Sequence, residues 1–247
     1  MFLFLLSAFT TLLALGACDK NFTVTSEVVL EVEVKNYNGQ GDDISGQVVI
    51  GLFGDTVPVA SLNFKTLCSG FKRPSSQINA GKSRKARRQQ RQVGGFGDGE
   101  EVKLSYKNTY CHRLVRDMLL HCGDVFGTDG HGGTSIYGES FNDENFIISH
   151  SSGGVVSMAN RGKDTNASQF FITLGSARFL DKRHVAFGKV TKGYQYLMAI
   201  NRMGPQDKDV RPKRPVRFTE CNVNEVKKYE LSVKDMKTDD LEGIVSL

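Results

Sequence analysis

From Phe22 to Val34 apolar and polar residues alternate and Val is abundant, which predicts a strand with one face in a core. Asn36–Asp43 (NYNGQGDD) is built of turn formers, and Ile44–Phe53 returns as a second strand. The period then changes. Val59, Leu62, Phe64 and Leu67 recur at helical spacing within Asp55–Cys68, where Asp55 or Thr56 is placed to cap the helix and Pro58 suits its first turn. Leu104–Val115 and Met118–His121 read as paired strands about a turn at Arg116-Asp117. Two further strands, Val155–Ala159 and Gln169–Thr173, flank the polar loop Asn160–Ser168, and Val185–Val190 follows as a third. Tyr194–Arg202 sets Tyr196, Leu197 and Ile200 on one face, with Met203 beyond, and Gly204 ends it as a second helix. Val216–Cys221 reads as the last strand, and no internal repeat is present.

Composition changes this picture in two places. The segment Ser69–Glu101 breaks the strand and helix periods; its middle is rich in Ser, Gln, Lys, Arg and Gly, too polar to order itself by burial. It holds a basic cluster, Lys82–Arg91, with six Lys or Arg and no acid, which accounts for a net charge of +5. This cluster reads as a solvated charge run, with binding to polyanions such as heparin and basic-site processing at Arg84–Arg88 as functional alternatives. At the other place, Phe2–Leu15 is an apolar run followed by small residues. It is shorter than the roughly 20 residues that span a bilayer, so residues 1–17 read as a signal peptide, with an uncleaved anchor or a lipoprotein-type signal ending at Cys18 as alternatives.

Two classes of chemistry are set aside by the residues themselves. Gly123–Gly138 is glycine-rich, but no Lys-Ser/Thr follows where a phosphate-binding loop needs it. The five cysteines lack metal-ligand spacing and contain no Cys-x-x-Cys pair, so no metal or cofactor is expected.

Several long words in the chain match one family. SMAN, NASQFFIT, FLD and HVAFGKV lie between Val155 and Val190; YCHRLVRDMLLHCGD precedes them, as does SIYGESFNDENF. Together they resemble the cyclophilins, the β-barrel type of peptidyl-prolyl isomerase, from about Phe22 to Asn222. The resemblance implies a mainly β fold: a closed eight-stranded antiparallel barrel capped by two α-helices. It implies a domain at residues 22–222 carrying a basic, disordered insertion at about 70–101, and a C-terminal extension at 223–247.

Turning an X-Pro amide requires breaking its resonance, which takes tens to hundreds of seconds uncatalysed. A catalyst needs an apolar slot for the proline ring and a donor that favours the twisted, pyramidal nitrogen; a guanidinium suits this because it stays charged and rigid. Carried over by position, the resemblance implies Arg113 as the catalytic donor. Phe171 falls on the pocket floor, Leu180 and His184 on its wall and rim, Gln169 on a polar group holding the arginine, and Ala159 and Asn160 on an edge that pairs with substrate backbone.

Departures from the family pattern are concentrated in the same place. Met118 stands for a pocket phenylalanine, Leu119 for methionine, His121 for a glutamine, Arg116-Asp117 for Pro-Gly, and Phe179 for a frequent tryptophan. A protonated His121 would repel Arg113 and weaken the site near or below pH 6.5. Phe179 implies weakened binding of cyclosporin-type ligands. Family geometry also brings Cys111 toward Cys122 and Cys68 toward Cys221, so two disulfides are candidates, with connectivity open. Asn21-Phe22-Thr23 and Asn166-Ala167-Ser168 are glycan acceptor triplets, the second expected to be unmodified because it lies in the site loop.

The implied function is isomerisation of proline-containing peptides or client proteins in the secretory pathway, endoplasmic reticulum lumen or secreted, by a monomer that binds no nucleic acid. The alternative is a cyclophilin-fold module that grips X-Pro segments and turns them over poorly.

Overall fold

The computed structural model describes residues 21–78, 101–127, 129–206 and 210–233. Residues 1–17, read from the sequence as a signal peptide, the basic cluster Lys82–Arg91 and the tail beyond Val233 lie outside the described residues.

The described residues form eleven strands: β1 (Asn21–Val34), β2 (Ile44–Leu52), β3 (Phe71–Pro74), β4 (Glu101–Leu104), β5 (Thr109–Cys111), β6 (Arg113–Val115), β7 (Leu119–Cys122), β8 (Val155–Met158), β9 (Phe170–Thr173), β10 (Ala186–Lys192) and β11 (Val216–Ser232). Nine form one antiparallel sheet in the order β5-β11-β1-β2-β10-β8-β9-β7-β6. Its two outer strands, β5 and β6, are consecutive in the chain with only His112 between them. The sheet therefore curls until its edges meet in one interrupted strand, which makes eight staves and leaves no free edge.

Inside the barrel the period-2 pattern delivers a continuous core. Val28, Leu30, Ile50, Leu120, Phe170, Ile172 and Phe218 are fully buried there, and Phe64 of the first helix stacks edge-on to Phe170 at 4.9 Å. The helices α1 (Pro58–Ser69) and α3 (Tyr194–Met203) cover the barrel, with Phe64 and Leu67 of α1 and Leu197 and Ile200 of α3 fully buried. A short turn of helix, α2 (Ser75–Ile78), follows β3.

Three elements differ from expectation. Neither Asp55 nor Thr56 caps α1: Val57 occupies the cap position, and the Glu144 carboxylate accepts the amides of Val59 (3.0 Å) and Ala60 (3.1 Å) from a distant loop. The insertion at about 70–101 is ordered at both ends, because β3 and β4 pair and Arg73, 7% exposed, donates to Thr134 Oγ1 and to the Ile136 carbonyl. The extension expected from residue 223 begins later, since β11 runs on to Ser232 against Asn21–Val24. There the ammonium of fully buried Lys189 donates to the carbonyls of Ser232 and Val233 and to Ser152 Oγ, fixing the end of the strand. The two candidate disulfides, Cys68–Cys221 and Cys111–Cys122, are both present; the first ties the end of α1 to β11, the second braces β5 against β7.

Candidate active site

The alternation of β6, β7 and β9 separates two apolar clusters. Leu114, Leu120, Cys122, Phe170 and Ile172 belong to the barrel core. Their neighbours along the chain face outward, and Leu119, Phe171, Ala177 and Leu180 form a second, smaller buried cluster with Val115, Met118 and Ala159 packed on it. Phe171 is 3% exposed, and Leu180 reaches it from the 3-10 turn Arg178–Leu180. This is an apolar niche on the outer wall of the barrel.

Register places a polar row beside it. Arg113 pairs with His121, and His121 with Phe171, so the three side chains leave the same face of three adjacent strands. Arg113 is exposed, and among the described residues its guanidinium has no hydrogen-bond or ion-pair partner.

The hairpin that carries Arg113 turns at Asp117, which adopts φ +58. Asn201 of α3 holds that turn: the Asp117 amide donates to Asn201 Oδ1 at 2.9 Å, and Asn201 Nδ2 donates back to Asp117 Oδ1 at 2.7 Å. A short polar residue tolerates the left-handed conformation, so Arg116-Asp117 replaces a Pro-Gly turn without losing the hairpin.

His121 differs from the sequence expectation. Its Nε2 is buried without a hydrogen-bond partner, so it accepts nothing from Arg113. Burial, then the neighbouring His112 ring and the Arg113 charge, push its pKa down from 6.5 to about 3. His112 packs on it with ring centroids 4.3 Å apart. His121 therefore supplies no charge switch near pH 6.5: burial keeps its ring neutral until well below that value.

Gln169 also departs from its expected task. Its Nε2 donates to the carbonyls of Gly130 (2.9 Å) and Gly132 (2.6 Å). It pins the glycine-rich loop over the site and does not bond the arginine. A groove of about 410 Å³ runs on from the niche, lined by His121, His131, Glu139, Ala159, Asn160 and Gln169 among others.

The Ala159 amide is already spent on the Gln169 carbonyl at 3.0 Å, and Asn160 Nδ2 donates to the Arg183 carbonyl at 2.8 Å. His184 donates from Nδ1 to the Met158 carbonyl at 3.0 Å and meets the Phe171 ring edge-on at 5.2 Å. Phe179 stands clear at the rim, 59% exposed. Asn166 is fully buried, its Nδ2 donating to Asp143 Oδ1 at 2.8 Å, which leaves that acceptor triplet closed to a glycan in the folded chain.

Two niche residues, Val115 and Ala177, were not singled out from the sequence. Val115 was legible, being two positions from Arg113 in a strand. Ala177 was not, since a lone alanine in a loop carries no periodic signal.

A closed barrel that bears an outward apolar niche beside a free guanidinium is built to take a short peptide with an apolar ring at its centre. The family "Cyclophilin type peptidyl-prolyl cis-trans isomerase/CLD" matches residues 35–223, and the chain belongs to it. The chain is similar to Peptidyl-prolyl cis-trans isomerase H of Mycosarcoma maydis, 38% identical over 177 residues that cover 72% of this chain and 97% of the relative. It is also similar to Peptidyl-prolyl cis-trans isomerase CYP21-1 of Arabidopsis thaliana, 37% identical over 202 residues, 80% of each chain. A third relative is the NK-tumor recognition protein of Homo sapiens, 38% identical over 191 residues, of which the match spans 11%.

Proposed function

We propose that this cyclophilin-type peptidyl-prolyl isomerase seats the proline ring on Phe171 and uses Arg113 to stabilise the twisted amide. The observation that carries the reading is the shared face of an unpartnered Arg113 and a buried Phe171, joined through the His121 rung. A guanidinium with no partner among the described residues is available to the prolyl nitrogen as that nitrogen becomes pyramidal. A donor that bonds more strongly to the twisted state than to either planar state lowers the barrier. Leu119, Met118, Val115 and Leu180 close the ring pocket, His184 and Phe179 form its rim, and Ala159, Asn160 and Gln169 lie along the groove that takes the flanking residues. The test is acceleration of cis-to-trans conversion of a proline tetrapeptide, lost in Arg113→Ala while the fold is retained.

A catalytically weak proline-peptide module remains the second reading, favoured by the aliphatic Met118 and Leu119 in the pocket. Line-shape changes in a bound peptide without exchange between its isomers would select it.

We further propose that the protein works in the secretory pathway. The apolar run Phe2–Leu15 and two disulfides at once support an oxidising compartment. Removal of residues 1–17, found by N-terminal sequencing of the protein from its cell, is the check. The cluster Lys82–Arg91 suits a polyanion, tested by heparin retention with and without that segment. Cyclosporin-type ligands bind the family in general, and Phe179 weakens them here.

A further inference from the structure

Beneath the niche lies a buried polar chain with the residue types of a hydrolytic triad. His150 is fully buried. Its Nδ1 lies 2.8 Å from Asp181 Oδ1, and its Nε2 lies 3.0 Å from Ser157 Oγ. The carboxylate only accepts, so Nδ1 carries the proton, and the Ser157 hydroxyl donates to Nε2. Ser157 is itself fully buried, in the middle of β8. No acyl group reaches its oxygen, so nucleophilic chemistry is excluded on geometry.

The chain instead touches the niche on several sides. The His150 ring stacks on Phe171, centroids 5.8 Å apart and planes 27° apart. The His150 carbonyl accepts the Ala177 amide at 2.8 Å. Asp181, adjacent to Leu180, accepts the His150 amide at 2.8 Å and the Ser149 hydroxyl at 2.7 Å. Ser157 is the cross-strand partner of Phe171. Of the four buried residues that define the niche, three are therefore held by His150 directly or through Asp181: the floor by stacking, Ala177 by its amide, and the Leu180 wall through its neighbour.

We infer that His150 is a positioning residue for the proline pocket: the Asp181–His150–Ser157 chain sets the separation of floor and wall, and so sets the affinity for the proline ring. The inference rests on the proposed seating of proline on Phe171. Among the described residues, no other single side chain bridges the barrel wall that carries Phe171 and the loop that carries Leu180 by hydrogen bonds at both ring nitrogens. A neutral ring is satisfied on both nitrogens here, which locks its orientation as well as its place.

The experiment measures kcat and KM separately, for a proline tetrapeptide, in four proteins. His150→Phe keeps the stack on Phe171 and loses both polar bonds. His150→Asn retains a donor toward Asp181 and loses the bond to Ser157. Ser157→Ala removes only the second bond. Ile200→Ala, in the α3 face of the core, is a control that lowers stability away from the niche.

KM is expected to rise about tenfold in His150→Phe, with a smaller rise in His150→Asn and in Ser157→Ala, and no change in the control once all are corrected for folded fraction. Wild-type KM and kcat in the His150 and Ser157 variants, at any loss of melting temperature, would overturn the inference and leave the isomerase reading standing. An inactive wild-type protein would overturn the isomerase reading instead. Should His150→Phe fail to fold, the Asn and Ala variants decide the matter by the same KM criterion.

Discussion

Arg113 stands directly across from His121 on one rung of the β6–β7 hairpin, yet the two share no hydrogen bond. The arginine is left to solvent and the histidine to the protein interior. This division gives the site a fixed positive charge with no compensating partner, next to a niche that has no charge of its own.

Arg113→Ala is expected to lower kcat/KM by about a hundredfold or more, the scale for removing one donor to a developing charge. Because the side chain is exposed and unpartnered, stability changes by less than about 0.5 kcal/mol. A proline-peptide assay and thermal melting, run on the same sample, check both halves.

His121 is expected to add no step to the activity profile near pH 6.5, because its ring takes up a proton only near pH 3. Stability behaves differently. In the unfolded chain His121 titrates near 6.5 and in the folded chain at about 3, so between these values the unfolded state holds more protons. The His121 contribution is fully present above pH 6.5 and is lost as the pH falls toward 3. Burial also lowers the pKa of His112, His150 and His184, which adds to the same trend. Denaturant melts at pH 7.5 and 5 test it: an equal or higher midpoint at the lower pH contradicts this account.

The two disulfides are expected to contribute unequally. Cys68–Cys221 spans 153 positions and joins a helix to the last strand, so its loss costs about 2–5 kcal/mol. Cys111–Cys122 spans 11 positions, and the β6–β7 hairpin is already held by its ladder, so it restricts the unfolded chain less. Comparing Cys68→Ala/Cys221→Ala with Cys111→Ala/Cys122→Ala by chemical denaturation gives the order.

Glu144→Gln is expected to cost about 1 kcal/mol, by weakening the charged acceptor at the first turn of α1. Its two bonds, to the Val59 and Ala60 amides, are the cap that the local sequence does not supply. Exchange protection at those two amides should fall in the variant, and protection in α3 should not.

Phe179→Trp is expected to tighten cyclosporin binding without altering stability, since Phe179 is 59% exposed. Titration calorimetry on the two proteins measures the change; equal affinities would remove Phe179 from the account of ligand strength.

The alternation in β1, β2, β6, β7 and β9 determined the strands and the split between core and outer face, and the resemblance to a family, carried by long words of the chain, grouped Arg113, His121 and Phe171. Those features are local: a period of two residues fixes which side a residue takes wherever the strand lies. Only the tertiary structure decided what those side chains meet. That His121 is neutral, that Gln169 holds glycine carbonyls, that Glu144 caps α1, and that His150 joins Phe171 to Asp181 all depend on residues brought close by closure of the barrel. Burial and hydrogen-bond partners are properties of that enclosed space, and no spacing along the chain encodes them.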